Sequence, residues 1–198
     1  MTRAPARTRN AAQPAVAHLA RADERLAAII DSVGPYRHTP TRRGTHFAAL
    51  LRAIVYQQLA GAAAATIYGR VCTLNGGRAP TPEQILAAPA ASLRALGLSR
   101  QKLGYMKDLA ERMTNGTLPL HRIARMGDDE VIAALTEVKG IGRWTAQIFL
   151  QFRLGRPDVL PEADLGIHDL TTVGSTANAY AISRAWRNFA SKKTRWEK

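Results

Sequence analysis

The feature that most restricts what this chain can fold into is the string Val138-Lys139-Gly140-Ile141-Gly142-Arg143-Trp144-Thr145-Ala146, a G-x-G turn caught between two amphipathic helices. Before it, Val131, Ile132, Leu135 and Val138 repeat at helical spacing; after it, Arg143 to Leu154 reads as a second, apolar helix. Two glycines allow the main chain to take φ > 0 or to approach something closely. The second helix begins at once, so its unpaired N–H groups are placed to grip a phosphate. Ile141 should point inward as an anchor, with the cations Lys139 and Arg143 flanking the same place. Taken alone, the spacing describes equally well a plain helical hairpin whose glycines serve only the turn.

The rest of the chain is helical in pattern too. Val16, Leu19, Leu26, Ile29 and Ile30 predict one helix from Ala15 to Val33, stopped by Gly34-Pro35. Tyr36 to Gly44 reads as loop. Helices follow over His46 to Leu59 and Ala62 to Leu74, the second closed by Asn75-Gly76-Gly77. Thr81-Pro82-Glu83-Gln84 combines an N-cap, a first-turn proline and a capping-box glutamine, and so predicts a helix start. Ala91 to Leu96 and Gln101 to Met113 complete the series. No segment alternates like a strand, so the expected class is all-α. Residues 1–14 read as a basic tail without period, 15–46 as a helix joining a second lobe, 47–155 as the hairpin-bearing lobe and 156–198 as a loop and C-terminal segment.

Charge narrows the partners. Lys and Arg number 28 against 15 Asp and Glu, a net +13, which favours a polyanion because basic surface displaces the counterions condensed on phosphates. Much of the excess sits at the ends, in Arg3, Arg7 and Arg9 and again from Arg184 to Lys198, so charge is a weak argument by itself. Cys72 is the sole cysteine, which excludes an internal disulfide, a zinc ribbon and a four-cysteine cluster. Its apolar neighbours suggest a core thiol. No apolar run reaches the roughly 18 residues of a membrane span, and no apolar segment follows the first arginines as a secretory signal requires. A cytoplasmic protein is expected.

The hairpin string resembles the helix-hairpin-helix signature of the DNA glycosylase superfamily. Ile54-Val55-Tyr56-Gln57-Gln58-Leu59 and Leu98-Ser99-Arg100-Gln101-Lys102 continue the likeness, and together they resemble the 3-methyladenine DNA glycosylase II branch, from about His18 to His168. The resemblance implies two helical lobes flanking a DNA cleft. It also implies a monofunctional enzyme that hydrolyses the N-glycosidic bond of alkylated purines in duplex DNA, acting as a monomer. In the family a proline-containing loop after the hairpin ends in the catalytic aspartate, and Asp164 matches that position; read without the family, Asp164 is also a helix N-cap. Bifunctional members carry a lysine where this chain has Trp144, so the resemblance implies no lyase step and a base-stacking role for the indole, although a core tryptophan fits the spacing as well. Tyr56 and Gln57 are expected to line the base pocket.

The same resemblance assigns DNA contacts to Lys139, Gly140, Gly142, Arg143 and Thr145. Gln58 and Leu59, at a helix end, are offered as the wedge that fills the space a flipped base leaves, or else as interhelical packing. No cofactor and no metal centre are called for, though family hairpins hold a monovalent cation on main-chain carbonyls. After His168 the chain reads Asp169-Leu170-Thr171-Thr172-Val173-Gly174 and the family pattern is expected to stop, as a shifted reading frame would make it do. Two other functions therefore stand beside the enzyme: a non-catalytic helix-hairpin-helix DNA-binding module, and a glycosylase inactivated by a disrupted C-terminus.

Overall fold

The computed structural model describes residues 13–35, 40–41, 43–156 and 158–164. No strand occurs among them, in agreement with the all-α expectation. The chain divides into two compact units, Met1–Pro40 with Gly155–Lys198, and Thr41–Leu154.

In the first unit, α1 (Gln13–Ala22) packs against α2 (Glu24–Val33). The periodicity had suggested a single helix here. Asp23 breaks it, because its carboxylate accepts the N–H groups of Arg25 (2.8 Å) and Leu26 (3.1 Å) and so caps a new helix rather than continuing the old one. Gly34, at φ 79°, ends α2 as expected.

The second unit is organised around α3 (His46–Tyr56), capped by the Thr45 hydroxyl on Ala48 N–H at 3.1 Å. Its side chains Phe47, Leu50, Leu51, Ile54 and Val55 are all buried, and each such burial stabilises by roughly 1.5–3 kcal/mol. They pack against α4 (Gly61–Cys72), α7 (Arg100–Thr114) and α9 (Arg143–Phe149). Cys72 is a buried free thiol, as its neighbours suggested. Between α4 and α7 lie α5 (Pro82–Ala87) and α6 (Ala90–Ala95). The predicted capping box at α5 is present in both directions: Thr81 Oγ1 accepts Gln84 N–H at 3.3 Å and Gln84 Oε1 accepts Thr81 N–H at 2.9 Å. Three acidic residues open α8 (Asp128–Thr136), where they complement the helix dipole. Helix α9 does not stop at Phe149 but widens into a π-helical turn over Leu150–Leu154.

Residues 41–46 go with this second unit because Arg153 clamps them. Its guanidinium donates to the carbonyls of Thr41 (2.7 Å), Arg43 (2.8 Å) and Gly44, and its Nε to His46 Nδ1 at 3.1 Å. Burial, and next the Arg153 charge, hold the His46 pKa below its ordinary value, which keeps Nδ1 an acceptor.

Candidate DNA-facing site

The hairpin turn is held from beneath by α7. Asp108 Oδ2 accepts the Lys139 N–H at 2.9 Å and Arg112 Nε at 3.0 Å, while the Lys139 ammonium stays exposed at 3.9 Å from Oδ1. Ile141, 3% exposed, is the inward anchor. Gly140 sits at φ 82°, and a Cβ there would fall 2.1 Å from Tyr105 Cδ2, so both the backbone angle and the space demand glycine. Gly142, at φ −89°, has open space where a Cβ would go. It caps α9, with Arg143 exposed beside it.

A second turn meets this one. Helix α3 ends at Tyr56, and the Gln57 side-chain amide donates to Gly140 O at 2.7 Å. Lys102 donates from Nζ to Val55 O at 2.7 Å, filling one of the orphan carbonyls at the helix end. Burial depresses its pKa. Gln58 then takes φ 55°, and both Gln58 and Leu59 (37% exposed) face outward.

Beside the two turns lies a cavity of about 980 Å³, of the size that takes small ligands. Trp144, Ile148 and Phe152, one turn apart along α9 and its π segment, form an apolar stripe on its wall; Trp144 is 42% and Phe152 47% exposed. Tyr56, Tyr68 and Tyr105 add aromatic surface. Arg52 stacks its guanidinium 4.1 Å above the Tyr56 ring, which meets Tyr68 edge-on at 6.4 Å between centroids. Burial pushes the Tyr68 hydroxyl up to about 12, so it stays protonated. Among the described residues the wall carries the cations Arg43, Arg52, Lys102 and Arg153 and no carboxylate. Such a surface offers stacking faces to a planar group and positive charge to a phosphate.

Comparison with known proteins decides what uses this arrangement. Residues 51–178 match the model of the HhH-GPD superfamily of base excision DNA repair proteins. The chain belongs to that superfamily. The DNA-3-methyladenine glycosylase 1 of Schizosaccharomyces pombe is 37% identical over 155 residues, covering 77% of this chain and 68% of that protein. A solved structure of the S. pombe 3-methyladenine DNA glycosylase in complex with abasic DNA superposes with a TM-score of 0.70, covering 78% of this chain and 76% of the other at 37% identity. A DNA-3-methyladenine glycosidase of Bacillus halodurans gives 0.77 at 34% identity over 87% and 82% of the two chains.

As a member of the HhH-GPD superfamily, the chain brings most of its expected site residues together. Trp144, Tyr56, Gln57 and Gln58 line the cavity, and Lys139, Gly142 and Arg143 stand on the exposed rim of the hairpin. Thr145 differs from these: at 8% exposure its side chain lies in the cavity wall, while its main-chain N–H belongs to the first turn of α9. Trp144, Gln58 and Leu59 are all exposed among the described residues, Trp144 at 42% too far for a core tryptophan. Asp164 stands in the other unit, half-buried, its N–H donating to Pro161 O at 2.9 Å. Any helix it caps lies outside the described residues. Upstream, Asp158 Oδ1 is buried with no hydrogen-bond partner among the described residues. The superfamily match runs to residue 178, past His168 where the pattern was expected to stop, and the segment beyond Asp164 lies outside the described residues.

Arg52, Tyr68, Asp108 and Phe152 stand at the site although reading the sequence did not single them out. A signal existed for Phe152, which follows Trp144 and Ile148 at a regular four-residue step on one helix face.

Proposed function

We propose that this HhH-GPD protein is a monofunctional DNA glycosylase that removes alkylated purines, such as 3-methyladenine and 7-methylguanine, from duplex DNA, with Asp164 as the catalytic carboxylate. The observation that carries the reading is Trp144. It is the second residue after the hairpin's last glycine, is 42% exposed, and lies on the wall of the cavity beside the phosphate-gripping turn. An indole face attracts a cationic purine by stacking and cation–π energy of about 0.5–2 kcal/mol, and it has no amine with which to attack the sugar.

The chemistry needs little else. A purine alkylated at N3 or N7 already carries positive charge and departs without a general acid. The electron pair of the glycosidic bond leaves with the base, and the sugar becomes oxocarbenium-like. A fixed anion stabilises that charge, and water adds at the anomeric carbon while losing a proton. Asp164 supplies the anion. Gln58 and Leu59 fill the space that the flipped nucleotide vacates, since extrusion costs a few kcal/mol of stacking. The hairpin N–H groups, Lys139 and Arg143 hold the backbone without reading its sequence.

A monovalent cation suits the hairpin's donor set. The turn offers neutral main-chain oxygens, of which Val138 O and Gly140 O each accept one hydrogen bond and keep a second lone pair. Bound there, the ion supplies positive charge beside a DNA phosphate.

Purified protein incubated with methylated duplex DNA is expected to release 3-methyladenine and 7-methylguanine, leave an intact abasic strand and give no borohydride-trapped adduct. Asp164→Asn is expected to lower base release by at least about 100-fold, as loss of an electrostatic group of this kind does, with DNA binding retained. Binding without any release by the unaltered protein would instead identify a non-catalytic DNA-binding module. Full activity of Asp164→Asn would remove that residue from the mechanism.

A further inference from the structure

The turn that carries Gln58 and Leu59 is poorly secured by its own main chain. Its two internal hydrogen bonds, Gln57 N to Ile54 O and Leu59 N to Tyr56 O, are both 3.4 Å long. Gln58 nevertheless holds φ 55°, a conformation that a non-glycine residue keeps only where its surroundings impose it. Two side-chain bonds of 2.7 Å secure the turn instead: Lys102 Nζ to Val55 O at the helix end, and the tether from Gln57 Nε2 to Gly140 O, which alone of the two joins the turn to the hairpin, across 83 positions of sequence.

The other end of that tether is fixed. Gly140 is pinned by the Tyr105 ring against its Cα, and the neighbouring Lys139 N–H is held by Asp108 at 2.9 Å. Tyr105 is itself braced by Gln101, whose amide donates to its hydroxyl at 2.6 Å. The hairpin is thus the rigid partner and the turn after α3 the compliant one.

We infer that Gln57 is a positioning residue that registers the outward pair Gln58 and Leu59 against the DNA-gripping hairpin, so that seating the hairpin on the backbone sets where the base-displacing side chains enter. This rests on the glycosylase reading above, in which the hairpin holds the backbone and Gln58 and Leu59 act as the wedge. Gln57 lines the cavity, and one of its two amide hydrogens is committed to Gly140 O. The role requires a donor at this position. A carboxylate of the same length cannot donate to Gly140 O while ionised and can once protonated.

The test uses the full chain with Gln57→Met, which has similar length and no donor, and Gln57→Glu. Affinity is measured for a duplex holding a tetrahydrofuran abasic analogue and for the same duplex undamaged, from pH 8 to pH 5, with thermal melting to show that each variant folds. At pH 8 both variants are expected to lose about tenfold of the ratio between the two affinities, whereas general loosening of the fold lowers both affinities together. On going to pH 5, Gln57→Glu is expected to regain part of the ratio, because a hydrogen bond made only by the neutral acid raises its pKa, while Gln57→Met does not. A ratio within twofold of the unaltered protein in both variants, equal losses on both duplexes, or the same pH response in both overturns the inference. If the unaltered protein itself shows no preference for the abasic analogue and releases no base, the glycosylase reading fails and takes this inference with it. Preference and release by the unaltered protein with unchanged variants defeat the inference alone.

Discussion

The two turns that meet beside the cavity each leave a helix through a residue of positive φ, and they solve the problem differently. At the hairpin the residue is Gly140, at 82°; after α3 it is Gln58, at 55°. Beneath Gly140 lies the Tyr105 ring, so close that no Cβ fits, and glycine answers both the angle and the space. Gln58 is exposed, so only the angle penalises it, by roughly 1–2 kcal/mol for the left-handed region. Glycine would relieve that strain. On the proposed reading the side chain is retained for the DNA, at the cost of the backbone angle. Gly140 is thus required by what lies inside the protein, and on the proposed reading Gln58 is retained for what lies outside.

The largest effect should come from breaking the first half of that contrast. Gly140→Ala adds a methyl group 2.1 Å from Tyr105 Cδ2 and forces φ 82° on an alanine. Overpacking and angle together are expected to destabilise by roughly 2–5 kcal/mol, a large share of the stability of a domain this size. Thermal or denaturant unfolding measures it. Adding Tyr105→Ala to the same chain removes the crowding but not the angle, so the pair should recover only part of the loss. If Gly140→Ala melts within a degree of the parent, the packing account of this glycine is wrong.

The contrast also explains how far the sequence could be read. Helix type, most stops and the capping box at Thr81 were legible because they depend on neighbours in the chain: Gly34, Gly76, Gly77 and Gln84 act within a few residues of what they terminate or cap. The break at Asp23 was missed although its signal is local, since the hydrophobic period runs straight through it while the carboxylate competes for the same N–H groups. At the site, Trp144, Tyr56 and Gln57, which the motifs singled out, lie together on one cavity, with the hairpin beside it. The burial of the Thr145 side chain was not legible, because which side of α9 faces inward is decided by packing against α3 and α8. Asp108 and the tether from Gln57 to Gly140 were invisible for the same reason: they join residues 31 and 83 positions apart, and no local period encodes that.

A smaller effect sharpens the comparison within the hairpin itself. Gly142 has an ordinary φ of −89° and nothing within 4 Å of a built Cβ, so the fold has no use for its missing side chain. On the proposed reading its value lies in the phosphate that approaches from outside. Gly142→Val is expected to change stability by no more than about 0.5–1 kcal/mol, the scale of a surface or helix-start substitution. Binding to duplex DNA should fall about tenfold, roughly 1.4 kcal/mol, and alike for damaged and undamaged duplexes, because a phosphate contact carries no base information. Equilibrium binding to both duplexes, beside a melting curve, separates the two quantities. A loss confined to damaged DNA would assign this glycine to the base pocket instead.

The smallest change in stability, and the one that tests the other half of the contrast, is Gln58→Gly. Removing the side chain frees the residue from its unfavourable angle, a gain of roughly 1–2 kcal/mol. Glycine's greater freedom in the unfolded chain takes back roughly 0.5–1 kcal/mol. A net stabilisation of about 0.5 kcal/mol should remain, raising the melting temperature by about 1–2 °C for a chain of this length. Base release should move the opposite way, falling by about threefold to tenfold, because less side chain is left to occupy the vacated space while extrusion of the base still costs a few kcal/mol. Leu59, exposed beside it, keeps part of the role and limits the loss. Opposite signs for stability and activity are the mark of a strained residue retained for function. Should Gln58→Gly instead lose stability, the left-handed angle is supported by contacts of the glutamine side chain, and the residue belongs to the fold rather than to the DNA.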